Sequence, residues 1–139
     1  MKKLFLLFIL FTTTLCVNAQ YTKQVESYYQ ARFTEILHGQ KEVVLDDRTR
    51  VDIVTDTFAI EVDFAYNWAE SIGQSYHYGK KLNKKAGILL IVNGMLEDRF
   101  IQILMPHAIE LNITVWVMDY NTNIWRRIKP VITYPYNFN

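Results

Sequence analysis

The run Ala86-Gly87-Ile88-Leu89-Leu90-Ile91-Val92 contains no polar side chain, so an extended chain here must bury residues on both of its faces. Such a strand belongs in the middle of a sheet covered on each side, which points to an α/β arrangement. The rest of the chain supplies the cover. Tyr21 to Leu37 carries an approximate apolar stripe through Val25, Tyr28 or Tyr29, Phe33 and Ile36-Leu37, and His38-Gly39 offers a stop, so a helix is expected there. Glu42 to Asp46 and Arg50 to Thr55 are β-rich runs joined through a short polar turn, and Thr57 to Phe64 reads as a third strand. From Ala65 to roughly Gly79 the period becomes helical, with Trp68, Ile72 and Tyr76 as packing residues. Lys80 to Lys85 reads as a basic loop. Leu96 or Glu97 to Leu111 reads as a helix despite Pro106, and Ile113 to Met118 as another strand. Asp119 to Asn139, rich in Asn, Tyr and Pro, carries no assignable pattern. The coarse order is αβββαβαβ, one mixed α/β domain.

Residues 1–19 stand apart from that plan. Lys2 and Lys3 precede an apolar stretch from Leu4 to Phe11, and Val17-Asn18-Ala19 supplies a small-residue cleavage signal before Gln20. This is the layout of a secretory signal peptide, so a secreted or periplasmic location is expected, with residues 20–139 as a single domain. The apolar stretch is too short for a membrane span, and no stable membrane insertion is expected after cleavage. Cleavage also removes Cys16, the one cysteine, so the remaining domain forms no disulfide and depends on its core.

Loss of Lys2 and Lys3 takes the 15 basic residues to 13 against 14 acidic ones, a net charge near −1. That excludes a polycationic coat for nucleic acid, while leaving room for local basic surface at Lys80, Lys81, Lys84 and Lys85 or at Arg126, Arg127 and Lys129. Trp125-Arg126-Arg127 reads either as packing or as a stacking and phosphate-binding edge. The three histidines, His38, His77 and His107, share no metal-ligand spacing. No P-loop, dinucleotide glycine pattern, CxxC or catalytic serine motif is present.

The chemistry concentrates between Arg50 and Phe64. Glu61 and Asp63 lie two apart on the third strand and so share a face, while Ile60 and Val62 point the other way. If the second and third strands pair, Asp52 sits across from Glu61 or Asp63. Such acids either face solvent on an amphipathic hairpin or gather around a hard cation such as Mg²⁺, which prefers oxygen ligands. Arg50 shares the strand face of Asp52, where it pairs with an acid or meets phosphate. On the following helix Gln74 and Tyr78 lie one turn apart, suited to orienting water or a phosphate oxygen.

These residues together resemble the PD-(D/E)XK nuclease superfamily. Asp52 resembles the first acid of its motif, Glu61-Val62-Asp63 resembles the E-x-K segment, and Gln74-Ser75-Tyr76-His77-Tyr78 looks like the Q-x-x-x-Y motif of recombination-exonuclease-type members. The resemblance covers about Tyr21 to Met118. It implies a restriction-endonuclease-like αβββαβ core, a central mixed sheet flanked by helices. It further implies a Mg²⁺- or Mn²⁺-dependent nuclease acting on nucleic acid, DNA foremost, with pairing into a homodimer as one mode of action. Asp52, Glu61, Asp63, Gln74 and Tyr78 would be the catalytic set. Asp52, Glu61 and Asp63 would hold metal with a first-helix glutamate, for which Glu35 is the candidate by position and Glu26 the second. In place of the motif's lysine this chain has Asp63, which leaves open a domain that binds nucleic acid or protein without cutting.

Overall fold

The computed structural model describes residues 24–129. The segment expected to be a signal peptide, the first turn expected of the leading helix and the tail beyond Lys129 lie outside these residues.

Among the described residues six strands form one mixed sheet in the order β1 to β6: β1 is Gln40–Val44, β2 Arg50–Val54, β3 Phe58–Phe64, β4 Lys85–Val92, β5 Thr114–Asp119 and β6 Trp125–Arg127. β1, β2 and β3 are antiparallel, β3, β4 and β5 are parallel, and β6 returns antiparallel to β5. Among the described residues the α-helices are α1, Glu26–Leu37, α2, Trp68–Leu82, and α3, Asp98–Glu110. The α/β architecture expected from the apolar run is therefore present. Ile88, Leu90 and Val92 pack on one side of β4 with Ile101, Leu104 and Ala108 of α3 and with Trp68 and Ile72 of α2. Leu89 and Ile91 pack on the other side with Tyr29 and Phe33 of α1 and with Trp116 and Met118.

Local chemistry sets the helix ends. His38 takes a left-handed conformation (φ 52°) after α1, and Gly39 N–H closes onto Thr34 O at 3.0 Å. Asn83 does the same for α2 (φ 51°), with Lys84 N–H on Gly79 O at 2.9 Å. Lys80 and Lys81 thus belong to the last turn of α2 rather than to a loop, where their charge suits the helix C-terminus. Pro106 lies inside α3 on its exposed side. Tyr76, expected in the core, is exposed.

Gly79 brings α2 close to β4. A Cβ there would stand 3.0 Å from the Ala86 nitrogen, so any side chain would push the helix away from the strand. β6 had no signal in the sequence: three exposed residues form it, and Trp125 meets the ring of Phe33 edge-on at 5.7 Å.

Candidate functional site

Three carboxylates occupy one row across the first three strands. Lys41 pairs with Ile53 and Val43 with Val51, which sets Glu42 opposite Asp52. Ile53 pairs with Ile60, and the next step of that register sets Asp52 opposite Glu61. Regular pairing fails along this row. Glu42 has a left-handed backbone (φ 60°), a conformation that costs a non-glycine residue about 1–3 kcal/mol and persists only where the surroundings enforce it. Asp52 turns its carboxylate to accept the Val62 N–H, so β2 and β3 part here.

Polar contacts hold the distortion. Gln30 of α1 is 5% exposed, and its Nε2 donates to Glu42 Oε1 at 2.6 Å and to Asp52 O at 2.9 Å. Arg50 Nε pairs with Glu42 Oε2 at 2.7 Å. The ion pair expected for Arg50 is therefore formed, with Glu42 as its partner.

Glu61 and Asp63 are 7% and 6% exposed, so they do not line the wet face of a hairpin. They sit on the side of β3 covered by α2, while Ile60, Val62 and Phe64 pack against α1. Asp63 is well supplied with donors. Its Oδ1 accepts Phe64 N–H at 2.8 Å and Asn67 Nδ2 at 2.7 Å, and Ser71 Oγ lies 3.4 Å from Oδ2. It thereby fastens the Ala65–Asn67 3₁₀ turn and the first turn of α2 to the end of β3. Glu61 is the opposite case, because its Oε2 is buried with no hydrogen-bond partner.

A fifth acid comes from α1. Burial, followed by the charges of Asp63 and Asp52, pushes the Glu26 pKa up to about 7. Glu35, the candidate by position, is exposed and lies nine residues further along, about half a turn around the helix from Glu26. Glu26 is thus the α1 carboxylate in the cluster. Burial followed by the charges of Asp52 and Asp63 pushes Glu61 up to about 9. Asp52 rises to about 6, mainly through burial and against the pull of its Val62 hydrogen bond. Asp63 also rises through burial, although its donors oppose this. All four shifts favour the protonated, uncharged form of these crowded acids.

Tyr78 is buried on α2 with Val51 and Ala59, and after burial it is the charges of Glu61 and Asp52 that raise its pKa. Ser71 and Tyr78 therefore mark the face of α2 that looks onto the acids. Gln74, half-buried, lies between them at helical spacing. The lysines at the end of α2 are engaged elsewhere: Lys81 Nζ reaches Asp46 at 2.8 Å and Asp47 at 3.5 Å, and Lys80 Nζ lies 5.4 Å from the centre of the Tyr76 ring. Arg50 is a cation whose charge acts on Asp52.

The structure therefore gathers Asp52, Glu61, Asp63 and Tyr78, sets Gln74 on their face of α2, and leaves Glu35 outside. Sequence reasoning missed Glu42, Gln30, Asn67 and Ser71. Asn67 and Ser71, four and eight residues after Asp63, had a readable helical spacing; the Glu42 row needs the register of β1.

Among the described residues, no group of three or more His, Cys, Asp or Glu side chains already stands in a metal-holding arrangement. The donor set nevertheless suits a hard divalent cation. Asp52 and Glu61 offer carboxylate oxygens, the buried Glu61 Oε2 lacks a partner, and Mg²⁺ binds through one or two carboxylates while keeping several waters. Among the described residues no helix is long and apolar enough to cross a membrane. No family model, curated protein or solved structure matches this chain.

Proposed function

We propose that this chain is an exported, metal-dependent nuclease of the PD-(D/E)XK kind that hydrolyses phosphodiester bonds, with DNA as substrate and Mg²⁺ or Mn²⁺ as its ion. The observation that carries the reading is Glu61 Oε2, buried and partnerless beside Asp52, Asp63 and Glu26. A buried acceptor in a crowd of acids is costly, and a cation removes both the orphaned oxygen and the repulsion.

In this reading Asp52 and Glu61 hold the ion, which when bound supplies activation of water and neutralisation of charge on the phosphate. Asp63 fixes α2 against the site through Asn67 and Ser71. Gln74 orients a phosphate oxygen or water, and Tyr78 donates its O–H toward the phosphate. Arg50 supplies the positive charge that the motif position occupied by Asp63 does not.

The test is incubation with linear, circular and single-stranded DNA, with and without Mg²⁺ or Mn²⁺. Strand loss is expected only with metal and is expected to vanish in Asp52→Ala and Glu61→Ala. Persistent absence of cleavage, or full activity in both variants, overturns the proposal. A second reading is favoured by Asp63 itself, whose three donors suit a structural anchor: a domain that binds nucleic acid or protein without cutting. Binding with no strand loss under any metal would favour it.

A further inference from the structure

The basic run from Lys80 to Lys85 takes no part in the acid cluster. It borders a cavity of about 420 Å³ at the end of α2, lined by Lys80, Lys84 and Lys85 together with Asn83, Asn112 and Tyr76. No carboxylate lines this cavity. Gly79 and Ala86 line it too, and their close approach, 3.0 Å from a Cβ on Gly79 to that of Ala86, fixes the end of α2 against the start of β4. Two of the lysines are held. Lys84 Nζ donates to Asp56 O at 2.9 Å, and Lys80 Nζ lies 5.4 Å from the centre of the Tyr76 ring. The ion pairs among the described residues use Arg50, His77 and Lys81, and none of these three lysines meets a carboxylate. Helix ends account for part of the positive charge. α2 stops at Asn83 and α3 at Leu111, which also lines the cavity, and each end carries about half a negative charge. Backbone donors already cover those ends: Lys84 N–H meets Gly79 O at 2.9 Å, and Ile113 N–H meets Ala108 O at 2.7 Å. Three lysines against two half-charges leave about two positive charges around the cavity.

We propose that this cavity is a binding site for a phosphate dianion, as free phosphate or as a small phosphomonoester, separate from the carboxylate site. A phosphomonoester carries about −1.5 to −2 charge at neutral pH, which matches the surplus left by the helix ends. Lysines meet phosphate as point charges, and the amides of Asn83 and Asn112 add neutral donors. Both asparagines have left-handed backbones, φ 51° and 55°, at the ends of α2 and α3. The volume falls in the range of small-molecule sites, about 300–1,000 Å³, and Tyr76 and Leu111 offer apolar surface to the organic part of an ester.

The test is titration of metal-free protein with inorganic phosphate, adenosine 5′-monophosphate and dimethyl phosphate, followed by amide NMR shifts. Saturable binding of the first two is expected, with Kd on the order of 1 mM or below, and shifts centred on Asn83, Lys84, Lys85 and Asn112. Tighter binding of the monophosphate supports an esterified ligand, and equal binding supports the free anion. Dimethyl phosphate, a monoanion, is expected to bind about 10-fold more weakly or less. The double variant Lys80→Gln, Lys85→Gln is expected to weaken phosphate binding at least about 10-fold, while Lys80→Arg, Lys85→Arg keeps it. Lys81→Gln removes a neighbouring charge outside the cavity and is expected to change little. Absence of saturation, equal binding of dimethyl phosphate, or an equal loss in Lys81→Gln overturns the inference. The titration uses neither metal nor DNA, so this site and the nuclease reading stand or fall separately.

Discussion

Asp52 Oδ2 accepts the Val62 backbone N–H at 2.8 Å, so a side chain on β2 occupies a place that a strand carbonyl fills in a regular ladder. The bond gives Asp52 two duties that substitution can separate. Asp52→Asn keeps an acceptor for Val62, and its denaturation midpoint is expected to stay near that of wild type while metal-dependent strand cleavage falls at least 100-fold. Asp52→Ala orphans a buried N–H and is expected to cost about 1–3 kcal/mol as well. Urea titration of both variants beside a cleavage assay checks the split.

The acids make stability depend on pH in an unusual direction. Glu61 rises from 4.5 to about 9 and Asp52 from 3.8 to about 6, so the folded chain holds these protons more tightly than the unfolded one. Their contribution is complete below the unfolded values and is lost as pH rises through about 6 and then about 9. The metal-free protein is expected to lose stability steadily over that interval, and Glu61→Gln to flatten the loss. Urea midpoints at stepped pH values decide it; a rising trend with pH contradicts the picture.

Metal is expected to reverse that loss. Ligand carboxylates must give up their protons, so Mg²⁺ should raise Tm more at pH 8 than at pH 6. At a concentration one hundred times Kd the gain is about 2.7 kcal/mol, equivalent to several degrees in a domain of this size. Thermal scans with Mg²⁺, with chelator and with Glu61→Gln check this, the variant being expected to lose the response.

Asp63 is expected to matter to the fold through its donors. Asp63→Ala leaves Asn67 Nδ2 and the Phe64 N–H without their acceptor and is expected to cost about 1–3 kcal/mol. Asp63→Asn retains an acceptor oxygen and should cost less. Equal losses for the two in chemical denaturation would remove the anchoring role.

Arg50 is exposed, and its pair with Glu42 is expected to contribute no more than about 1 kcal/mol to stability. Arg50→Ala should therefore fold normally yet cleave DNA about 10-fold or more slowly, with Arg50→Lys retaining part of the rate. This follows if positive charge near Asp52 acts on the phosphate. Unchanged cleavage in Arg50→Ala would assign the residue to the Glu42 pair alone.

The parts of this fold that were legible in the sequence are those governed by short-range periodicity. The apolar run from Ala86 to Val92, the two-residue spacing of Glu61 and Asp63 and the stop at His38-Gly39 each follow from a pattern a few residues long. β6 escaped notice because three exposed residues have no alternation to read. Lys80 and Lys81 looked like loop residues because they are charged, although a helix C-terminus welcomes that charge. Choosing between Glu26 and Glu35 needed the angle at which α1 meets the sheet, and the role of Glu42 needed the β1 register. Both are tertiary facts.

The left-handed backbone of Glu42 has a consequence beyond the site. β1 is an outer strand, and a straight outer strand offers its free amides and carbonyls to any passing chain. Glu42 breaks that rail in the middle, since its φ of 60° turns the neighbouring peptide groups out of line. A second molecule therefore finds no continuous edge on this flank to extend the sheet. The kink that opens the row of acids also protects the protein from aggregating along β1.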